Sequence, residues 1–428
     1  MKILFYNHTG QVSGAERLLL MILARIDRDG FDPIVVCPEQ DSLSNMVTKL
    51  GVPVETVAGL EARFTWRVDH LARYCKSFFQ VIRQLRKRVT TIKPDLIHAN
   101  SIRAGLVATA ATLGLGTRVV WHLHDLLPRH PLSTLIRFFA FLSSRTRMIA
   151  VSEAVATNFR GRFSNRMKNR VGVILNAIDL DKFQPDQTAR RRTARELRVR
   201  KADPLIGIVG QITPRKGQLE LVRAFGRALT EIPHTVLLIV GAPLFNRDHE
   251  YMEAVERTAV EWGIRDNVRM LGARIDIGAI MQSLDLLIVN STAEPFGLVI
   301  LEAMASGTPV LAVAVDGIPE IIEHDKNGWL VPSRDEGALA KAIVHLSRRP
   351  ELRARLAEQG KRHVAAHFSA DRYLTEVQAF YSLECADLSA PNHVLESAAT
   401  SEPRADRGPQ RGSRAGVLSS SHTKELTT

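Results

Sequence analysis

The chain has 428 residues, of which 45% are hydrophobic and 24% charged, and its formal net charge is +12. This length exceeds one ordinary hydrophobic core, so we expect two domains. The three cysteines, at positions 37, 75 and 385, fit no metal or redox spacing, which favours free thiols in a reducing compartment. No apolar run approaches the roughly 20 residues of a membrane-spanning helix, so we expect a cytoplasmic protein.

The first half of the chain alternates short apolar segments with amphipathic ones. Strands are predicted at Lys2–Tyr6, Pro33–Cys37, Leu96–Ala99, Arg118–His122, Met148–Val151 and Gly172–Leu175. Helices are predicted at Ala15–Ile26, Leu43–Leu50, Leu71–Thr91 and Ile102–Leu113. Alternating strand and helix signals favour an α/β fold with a parallel sheet that is covered on both faces.

Residues 63–93 contain a basic helix with an apolar face. Lysines and arginines interleave there with apolar side chains such as Phe78, Val81 and Leu85. The pattern fits a peripheral contact with an anionic membrane surface, and it equally fits a domain helix whose apolar stripe packs on the sheet. Both interpretations stay open at this point, and the basic charge as a whole also suits nucleic acid or a phosphorylated substrate.

A charged linker with a short surface helix is predicted at Gln184–Asp203, and a second α/β series follows it. Its strands are expected at Leu205–Val209, Thr235–Val240, Val268–Leu271, Asp285–Val289, Pro309–Val313 and Gly328–Val331. Its helices are expected at Gln218–Leu229, Glu250–Trp262, Ile277–Leu284, Leu298–Ala305, Glu336–Leu346 and Glu351–His367, with a last helix at Ala370–Glu384. Few apolar residues follow, so residues 386–428 are predicted to be a disordered tail.

The segment Glu294–Val310 carries the strongest chemical signal. It follows an apolar strand, opens a helix and reaches Gly307 before the next strand, so that Glu294 and Glu302 flank a loop-to-helix junction. Doubly wound sheets bind ligands beyond the carboxyl ends of their strands, and helix N-termini favour phosphate. The segment therefore indicates a nucleotide-sugar or dinucleotide pocket.

Two other strand-to-helix turns carry candidate binding residues. Arg215 and Lys216 follow the first strand of the second half, where adjacent cations suit a diphosphate, although an ordinary solvated basic turn has the same pattern. Ser13 and Gly14 follow the first strand of the chain, where small residues let the backbone approach a ligand closely. That turn lacks Gly-x-Gly-x-x-Gly, which disfavours a dehydrogenase.

Two histidines and an aspartate end the strand near residue 122. His122 and His124 would share a face of that strand and could suit a metal, but the sequence places no third ligand, so we expect none. A histidine that hydrogen-bonds a sugar hydroxyl and a structural histidine with its own partners are the remaining interpretations.

Together these residues resemble the retaining glycosyltransferase family four, over about residues 1–385. Further matching segments are 13–16, 124–125, 151–154, 176–179, 317–320 and 327–331. The resemblance implies the GT-B architecture, in which two Rossmann-like doubly wound domains face a central cleft. The corresponding parts here are an acceptor-side domain at 1–183, a donor domain at 184–369 and a helix at 370–385 that crosses back to the first domain.

The resemblance also implies roles for particular residues. Glu302 would bind the ribose hydroxyls, and Gly14 would lie against the phosphates. Glu294 would contact the transferred sugar and the diphosphate together with the backbone amides of Phe296, Gly297 and Leu298. The remaining roles fall to polar side chains that contact charge or sugar: Arg215 and Lys216 would neutralise the departing diphosphate, and His124 would contact the sugar.

The expected function is transfer of a sugar, with retention, from a UDP- or GDP-sugar to a hydroxyl of a glycan or lipid-linked acceptor in envelope or exopolysaccharide biosynthesis. We expect no metal and no cofactor, because Arg215 and Lys216 supply the positive charge. An anionic membrane surface, contacted through residues 63–93 at the inner face of the cell membrane, is a further expected partner, and nucleic acid is not. Two alternatives remain: a sugar-nucleotide epimerase or hydrolase of the same fold, and a non-catalytic basic scaffold.

Overall fold

The computed structural model describes residues 1–38, 42–60, 68–141, 143–161, 167–183, 188–197, 200, 204–244 and 246–386. Of the predicted tail, only Ala386 is described, and it is the last residue of a helix rather than the start of the tail. Residues 387–428 lie outside the described residues, as do residues 63–67 of the basic segment and residues 184–187 and 201–203 of the linker.

The first seven strands form one parallel sheet that is buried on both faces. They are β1 (Lys2–Tyr6), β2 (Asp32–Pro38), β3 (Val54–Val57), β4 (Leu96–Ala99), β5 (Arg118–Leu123), β6 (Thr146–Ala150) and β7 (Val171–Val173), in the order β3-β2-β1-β4-β5-β6-β7. Tyr6 pairs with Ala99, so that β1 and β4 end level with each other, and with Val36 on the other side, so that β2 extends two residues further to Pro38.

Helices cover both faces of this sheet. They are α1 (Gly14–Arg25), α2 (Ser42–Lys49), α3 (Val68–Ile92), α4 (Ile102–Thr112), α5 (Pro131–Phe141) and α6 (Glu153–Arg160). One core contains Val81, Leu85 and Trp121, and the other contains Phe5, Leu19 and Ile22. The apolar stripe of α3 therefore packs inside the domain, whereas Phe79 on the same helix is 64% exposed.

The second sheet is also parallel. Its strands are β8 (Leu205–Val209), β9 (Val236–Val240), β10 (Val268–Gly272), β11 (Leu286–Val289), β12 (Val310–Val313) and β13 (Trp329–Val331), in the order β10-β9-β8-β11-β12-β13. The associated helices are α7 (Ala189–Glu196), α8 (Gln218–Leu229), α9 (Asn246–Glu261), α10 (Ile277–Ser283), α11 (Leu298–Ala305), α12 (Glu336–Ser347) and α13 (Pro350–His367).

The last described helix, α14 (Ala370–Ala386), packs on the first sheet and not on the second. Tyr373, Val377 and Tyr381 are fully buried there, and the Tyr381 hydroxyl lies 2.7 Å from Nδ1 of His98 in β4. None of the helices in the described ranges combines the length and the apolar character that crossing a bilayer requires.

Three elements were not predicted. β3 has four residues, of which only Val57 is buried, so it carries almost no hydrophobic pattern. α5 is apolar over most of its length, and α6 has only eight residues, fewer than the window over which helical periodicity is read. The other predicted strands and helices are present, with ends that differ by a few residues.

Candidate functional site between the two sheets

Each sheet has one place where neighbouring strands send their connections to opposite faces. These are the β1–β4 pair in the first sheet and the β8–β11 pair in the second. A crevice forms at such a switch point, beyond the carboxyl ends of the strands, and it is where doubly wound sheets bind ligands. The segments that leave these four strands contain most of the residues that the sequence singles out.

The turn after β8 and the loop after β11 are joined by several hydrogen bonds. Lys216 Nζ lies 2.6 Å from Glu294 Oε2, the amide of Thr292 donates to the Arg215 carbonyl at 2.8 Å, and Arg215 Nη1 donates to the Ala293 carbonyl at 3.2 Å. The structure therefore brings Arg215, Lys216 and Glu294 together, with the Arg215 side chain exposed and the other two mostly buried.

Glycine is required where these two segments touch. Gly217 ends the short 3-10 helix Pro214–Lys216 with a φ of 68°. A Cβ atom at Gly217 would lie 2.3 Å from the Asn290 carbonyl oxygen, so a larger residue would push the cationic turn away from the loop.

Glu294 is held from both ends. Its carboxylate accepts from Lys216 and, at 2.9 Å, from the Ser291 hydroxyl, and its residue is 7% exposed. Its amide donates to Asp316 Oδ2 at 2.9 Å. Asp316 has a φ of 45°, a left-handed conformation that aspartate tolerates better than most residues.

The start of α11 presents unpaired amides. Gly297 precedes the helix with a φ of 108°, and the Phe296 ring is buried against Phe368, so Phe296 offers its backbone and not its side chain. Within the described residues, the amides of Phe296, Gly297 and Leu298 donate to no other group. Three unpaired amides at a helix N-terminus favour an anion.

The two halves approach each other at the middle of the site. A Cβ atom built on Gly14 would lie 3.4 Å from Leu298 Cδ1, so the first turn of α1 faces the first turn of α11. One helical turn further along, Arg17 Nη1 lies 4.0 Å from Glu302 Oε1. Burial raises the pKa of Glu302, and the charge of Arg17 partly opposes that rise.

His124 lies in the first domain, directly after β5. Its Nε2 lies 3.2 Å from Asn100 Oδ1, and its ring lies 3.9 Å, centroid to centroid, from that of His122. Part of its surface is accessible, yet the surrounding protein lowers the pKa of His124 to about 3 by desolvation. His122 is fully buried and bonds to His98, so it is a structural histidine and does not contact the cleft.

In the part of the chain that the structure describes, no group of three or more histidine, cysteine, aspartate or glutamate side chains is arranged to hold a metal ion.

Further contacts clamp the two domains beside Glu294. The Ser152 hydroxyl donates to the Pro295 carbonyl at 2.6 Å, and the Glu320 carboxylate accepts from the amides of Glu153 and Ala154 at 2.8 Å each. These amides begin α6, so a residue of the second domain caps a helix of the first.

Several of the residues that organise this site were not predicted as site residues. Glu16, Asn7 and Asn100 support His124, Arg17 faces Glu302, and Glu320 caps α6. Glu320 lies in a matching segment, 317–320, and Asn7 begins the turn that contains Gly14, so both were within reach. Asn100 follows an ordinary buried strand, and its role depends on a neighbour 93 residues away.

Comparisons with known proteins agree with this geometry. A model of Glycosyltransferase Family 4 matches residues 12–182, and a model of Glycosyl transferases group 1 matches residues 189–363. The D-inositol 3-phosphate glycosyltransferase of Saccharomonospora viridis is 30% identical over 298 residues, which cover 64% of this chain and 67% of that protein. The protein of the same name from Streptomyces avermitilis is 28% identical over 310 residues, covering 67% of this chain and 66% of that protein.

A solved structure extends the comparison to both domains. The crystal structure of Anabaena HepE in complex with UDP-glucose aligns with a TM-score of 0.76 and 26% identity, covering 90% of this chain and 100% of HepE. Two parallel sheets of this kind, whose switch points face each other across one cleft, define the GT-B architecture. The chain belongs to glycosyltransferase family 4.

Proposed function

We propose that the protein transfers a sugar from a nucleoside diphosphate sugar, with UDP as the favoured nucleotide, to a hydroxyl of a glycan or lipid-linked acceptor in envelope or exopolysaccharide biosynthesis, and that it does so with retention and without a metal. The observation that carries the proposal is the Lys216–Glu294 ion pair beside the unpaired amides of Phe296, Gly297 and Leu298. The complex of HepE with UDP-glucose supports the choice of nucleotide.

The chemistry follows from where charge develops. When the bond between sugar and diphosphate breaks, negative charge grows on the departing diphosphate and positive charge on the sugar ring. The negative charge on the diphosphate is stabilised by Lys216, Arg215 and the amides at the start of α11. These donors are already oriented, so the reaction requires no reorganisation of them. Glu294 and His124 hold the sugar, and Glu302 holds the ribose.

Retention is assigned to front-face attack. A phosphate oxygen of the departing diphosphate takes the proton of the acceptor hydroxyl while that hydroxyl oxygen bonds to the anomeric carbon on the same face. Glu294 and Glu302 do not act as a glycosidase pair, since Glu302 lies more than a helical turn along α11 and faces Arg17. NMR of the product would show the anomeric configuration of the donor, and an inverted product would refute this step.

Metal independence has its own test. Because side chains and amides supply the positive charge, activity should persist in EDTA. Loss of activity in EDTA that added manganese restores would contradict the proposal.

Donor binding is tested by a thermal-shift panel of nucleoside diphosphates and their sugars. A ligand that binds only the folded state raises Tm by mass action, and we expect UDP and UDP-sugars to do so. An epimerase or hydrolase would turn over the donor without acceptor. A basic scaffold would show salt-sensitive DNA binding with no nucleotide-dependent shift.

The membrane surface is the second proposed partner. The exposed Phe79 on α3 and the exposed Leu135 and Phe138 on α5 lie on helices that both neighbour α4, and Arg83 and Lys87 of α3 are exposed as well. Apolar side chains beside cations suit an anionic bilayer. Flotation of the protein with phosphatidylglycerol vesicles should weaken in Phe79→Ser and Phe138→Ser. It should not weaken in Leu244→Ser, which changes an exposed leucine of the second domain. If the native protein shows no flotation that depends on the anionic lipid, the proposed membrane contact is contradicted.

A further inference from the structure

A directional chain of hydrogen bonds runs from His124 into the first domain. His124 Nε2 meets Asn100 Oδ1 at 3.2 Å, Asn100 Nδ2 meets Asn7 Oδ1 at 3.0 Å, and Asn7 Nδ2 meets Glu16 Oε1 at 3.2 Å. Asn7, Asn100 and Glu16 are at most 3% exposed. These hydrogen bonds therefore link the cleft to a buried carboxylate, that of Glu16, at the start of α1.

The neighbours of each amide fix its direction. Asn7 Nδ2 lies between two acceptors, the Thr9 carbonyl and the Glu16 carboxylate. Asn100 Nδ2 lies between Asn7 Oδ1 and the Ala15 carbonyl. Turning either amide over would place one oxygen against another, which costs the desolvation of an unpaired buried group.

Glu16 ends the chain as an acceptor. Its second oxygen, Oε2, accepts from the amide of Ser13 at 2.9 Å and from the Ser13 hydroxyl. Every partner of the carboxylate is thus a donor, and every link from Glu16 outward is fixed in one sense. Ser13 supplies two of these donors, its backbone amide and its hydroxyl.

The consequence falls on the ring of His124. Asn100 Oδ1 is a carbonyl oxygen and only accepts, so Nε2 of His124 carries the proton. The other ring nitrogen, Nδ1, has no hydrogen-bond partner among the described residues, and it is not among the buried atoms that lack one. A neutral ring with its proton on Nε2 presents a lone pair, and no proton, at Nδ1.

We propose that Glu16, Asn7 and Asn100 are positioning residues that lock His124 in the Nε2–H tautomer, so that Nδ1 only accepts a hydrogen bond and the site selects sugars that present a hydroxyl there over sugars that present a carboxylate. The assignment of the tautomer rests on the geometry of these hydrogen bonds alone. The selection of the sugar also rests on the proposed function.

The contact with His122 disfavours a charged ring at His124. His122 bonds to His98, and His98 bonds to Tyr381 of α14, so the rings behind His124 are tied to a helix from the far end of the chain. Desolvation lowers the pKa of His98 to about 3 and that of His122 well below its ordinary value, so this wall stays uncharged. A second, protonated state of His124 is therefore not stabilised by its neighbours.

The lock is tested without any substrate. In the full chain labelled with ¹⁵N-histidine, long-range ¹H–¹⁵N spectra at about pH 6 should show His124 as the neutral Nε2–H tautomer, with the signal assigned by its loss in His124→Gln. Asn100→Leu should give a mixture of tautomers, whereas Thr112→Val, a buried polar-to-apolar change at the other end of α4, should leave the signal unchanged. An Nδ1–H tautomer or an imidazolium in the native protein would overturn the lock.

The selection is tested with UDP-glucose analogues in which each sugar hydroxyl in turn is replaced by fluorine, which cannot donate. We expect kcat/KM to fall by about tenfold or more at the position that faces His124, because Nδ1, once the bound sugar covers it, is then left without a donor. That loss should shrink in Asn100→Leu and persist in Thr112→Val. Equal losses in both variants would overturn the selection. If no nucleotide sugar raises Tm or is turned over, the proposed function fails, and the NMR result still decides the lock.

Discussion

Lys216 and Glu294 depend on each other more than their separate positions in the sequence suggest. Side-chain exposure is 14% for Lys216 and 9% for Glu294, and the two charged groups are 2.6 Å apart. A carboxylate with so little access to water needs a charged partner or several donors. The pair thus serves the fold, by satisfying Glu294, and serves the proposed reaction, by placing an ammonium at the diphosphate.

The first prediction concerns this ammonium. Lys216→Met keeps most of the side-chain stem, and we expect it to lower kcat by about 10²–10³-fold, the typical cost of removing one charge-stabilising donor. We also expect a loss of about 1–3 kcal/mol of unfolding free energy, since the Ser291 hydroxyl is then the one donor to the Glu294 carboxylate among the described residues. Steady-state kinetics and urea unfolding measure both. Lys326→Met, which breaks an exposed pair with Glu323, is the control; unchanged turnover in Lys216→Met would remove Lys216 from the site.

Two buried tyrosines of α14 can be compared directly, because they differ in whether the hydroxyl has a hydrogen-bond partner. Both are fully buried, but the Tyr381 hydroxyl bonds to His98, whereas the Tyr373 hydroxyl has no partner among the described residues. We expect Tyr381→Phe to lower the free energy of unfolding by about 1–3 kcal/mol, because His98 loses its partner. Tyr373→Phe should cost nothing or stabilise slightly, since it removes an unpaired polar group. Equal losses in denaturant titrations would contradict the assignment.

At the scale of the element, the start of α11 depends on the backbone conformation of Gly297. Gly297 has a φ of 108°, and a Cβ atom there would lie 2.9 Å from Ile300 Cδ1. Gly307, just beyond the end of the helix, has a φ of 75° but open space around a built Cβ atom. A larger residue would strain the left-handed backbone at both positions. Only at Gly297 would its Cβ atom also press against a side chain of α11, beside the amides at the start of that helix.

Alanine at each position separates the two effects. We expect both variants to lose about 1–3 kcal/mol of stability from the left-handed backbone. Only Gly297→Ala should weaken UDP binding, by about tenfold or more, because it displaces the amides that face the ligand. Calorimetric titration with UDP measures this. Equal affinity in the two variants would show that these amides do not bind the diphosphate.

The strands and their carboxyl ends can be predicted from the sequence, because a buried parallel strand is a short, continuous apolar run. Arg215, Lys216 and Glu294 follow such runs directly, so their convergence at a switch point could be predicted. The chain through Asn7 and Asn100 could not, since it depends on the level ends of β1 and β4, which only strand pairing fixes. Glu320 differs, because it lies in the matching segment 317–320, but its partners are backbone amides, which leave no trace in the sequence around α6.

At the scale of the molecule, the buried histidines make stability depend on pH. Desolvation lowers the pKa of His8 to about 4 and that of His98 and His124 to about 3. The unfolded chain, in which histidine titrates near its ordinary pKa of about 6.5, binds more protons between those values than the folded protein does. Stability is therefore full above about pH 6.5 and falls as the pH drops toward the folded pKa values, by up to about 1.4 kcal/mol per pH unit for each histidine.

His8→Asn tests this slope at one residue. Between about pH 6 and pH 5, the free energy of unfolding should fall less steeply in the variant than in the native protein, by about 1 kcal/mol per pH unit. His249→Asn, at an exposed position, should leave the slope unchanged. Parallel curves for His8→Asn and the native protein would contradict a lowered pKa at His8.

The contact between the two domains depends on one carboxylate in particular. Glu320 accepts from the amides of Glu153 and Ala154, where the dipole of α6 favours negative charge. We expect Glu320→Ala to loosen the domains by about 0.5–2 kcal/mol, the usual cost of losing a helix cap, and so to raise the radius of gyration and lower kcat/KM. Small-angle scattering with and without UDP measures the radius of gyration. Glu323→Ala, three residues on and exposed, should change neither. If Glu320→Ala lowers kcat/KM while the scattering stays native, the carboxylate acts on the neighbouring Pro295 loop and does not hold the domains together.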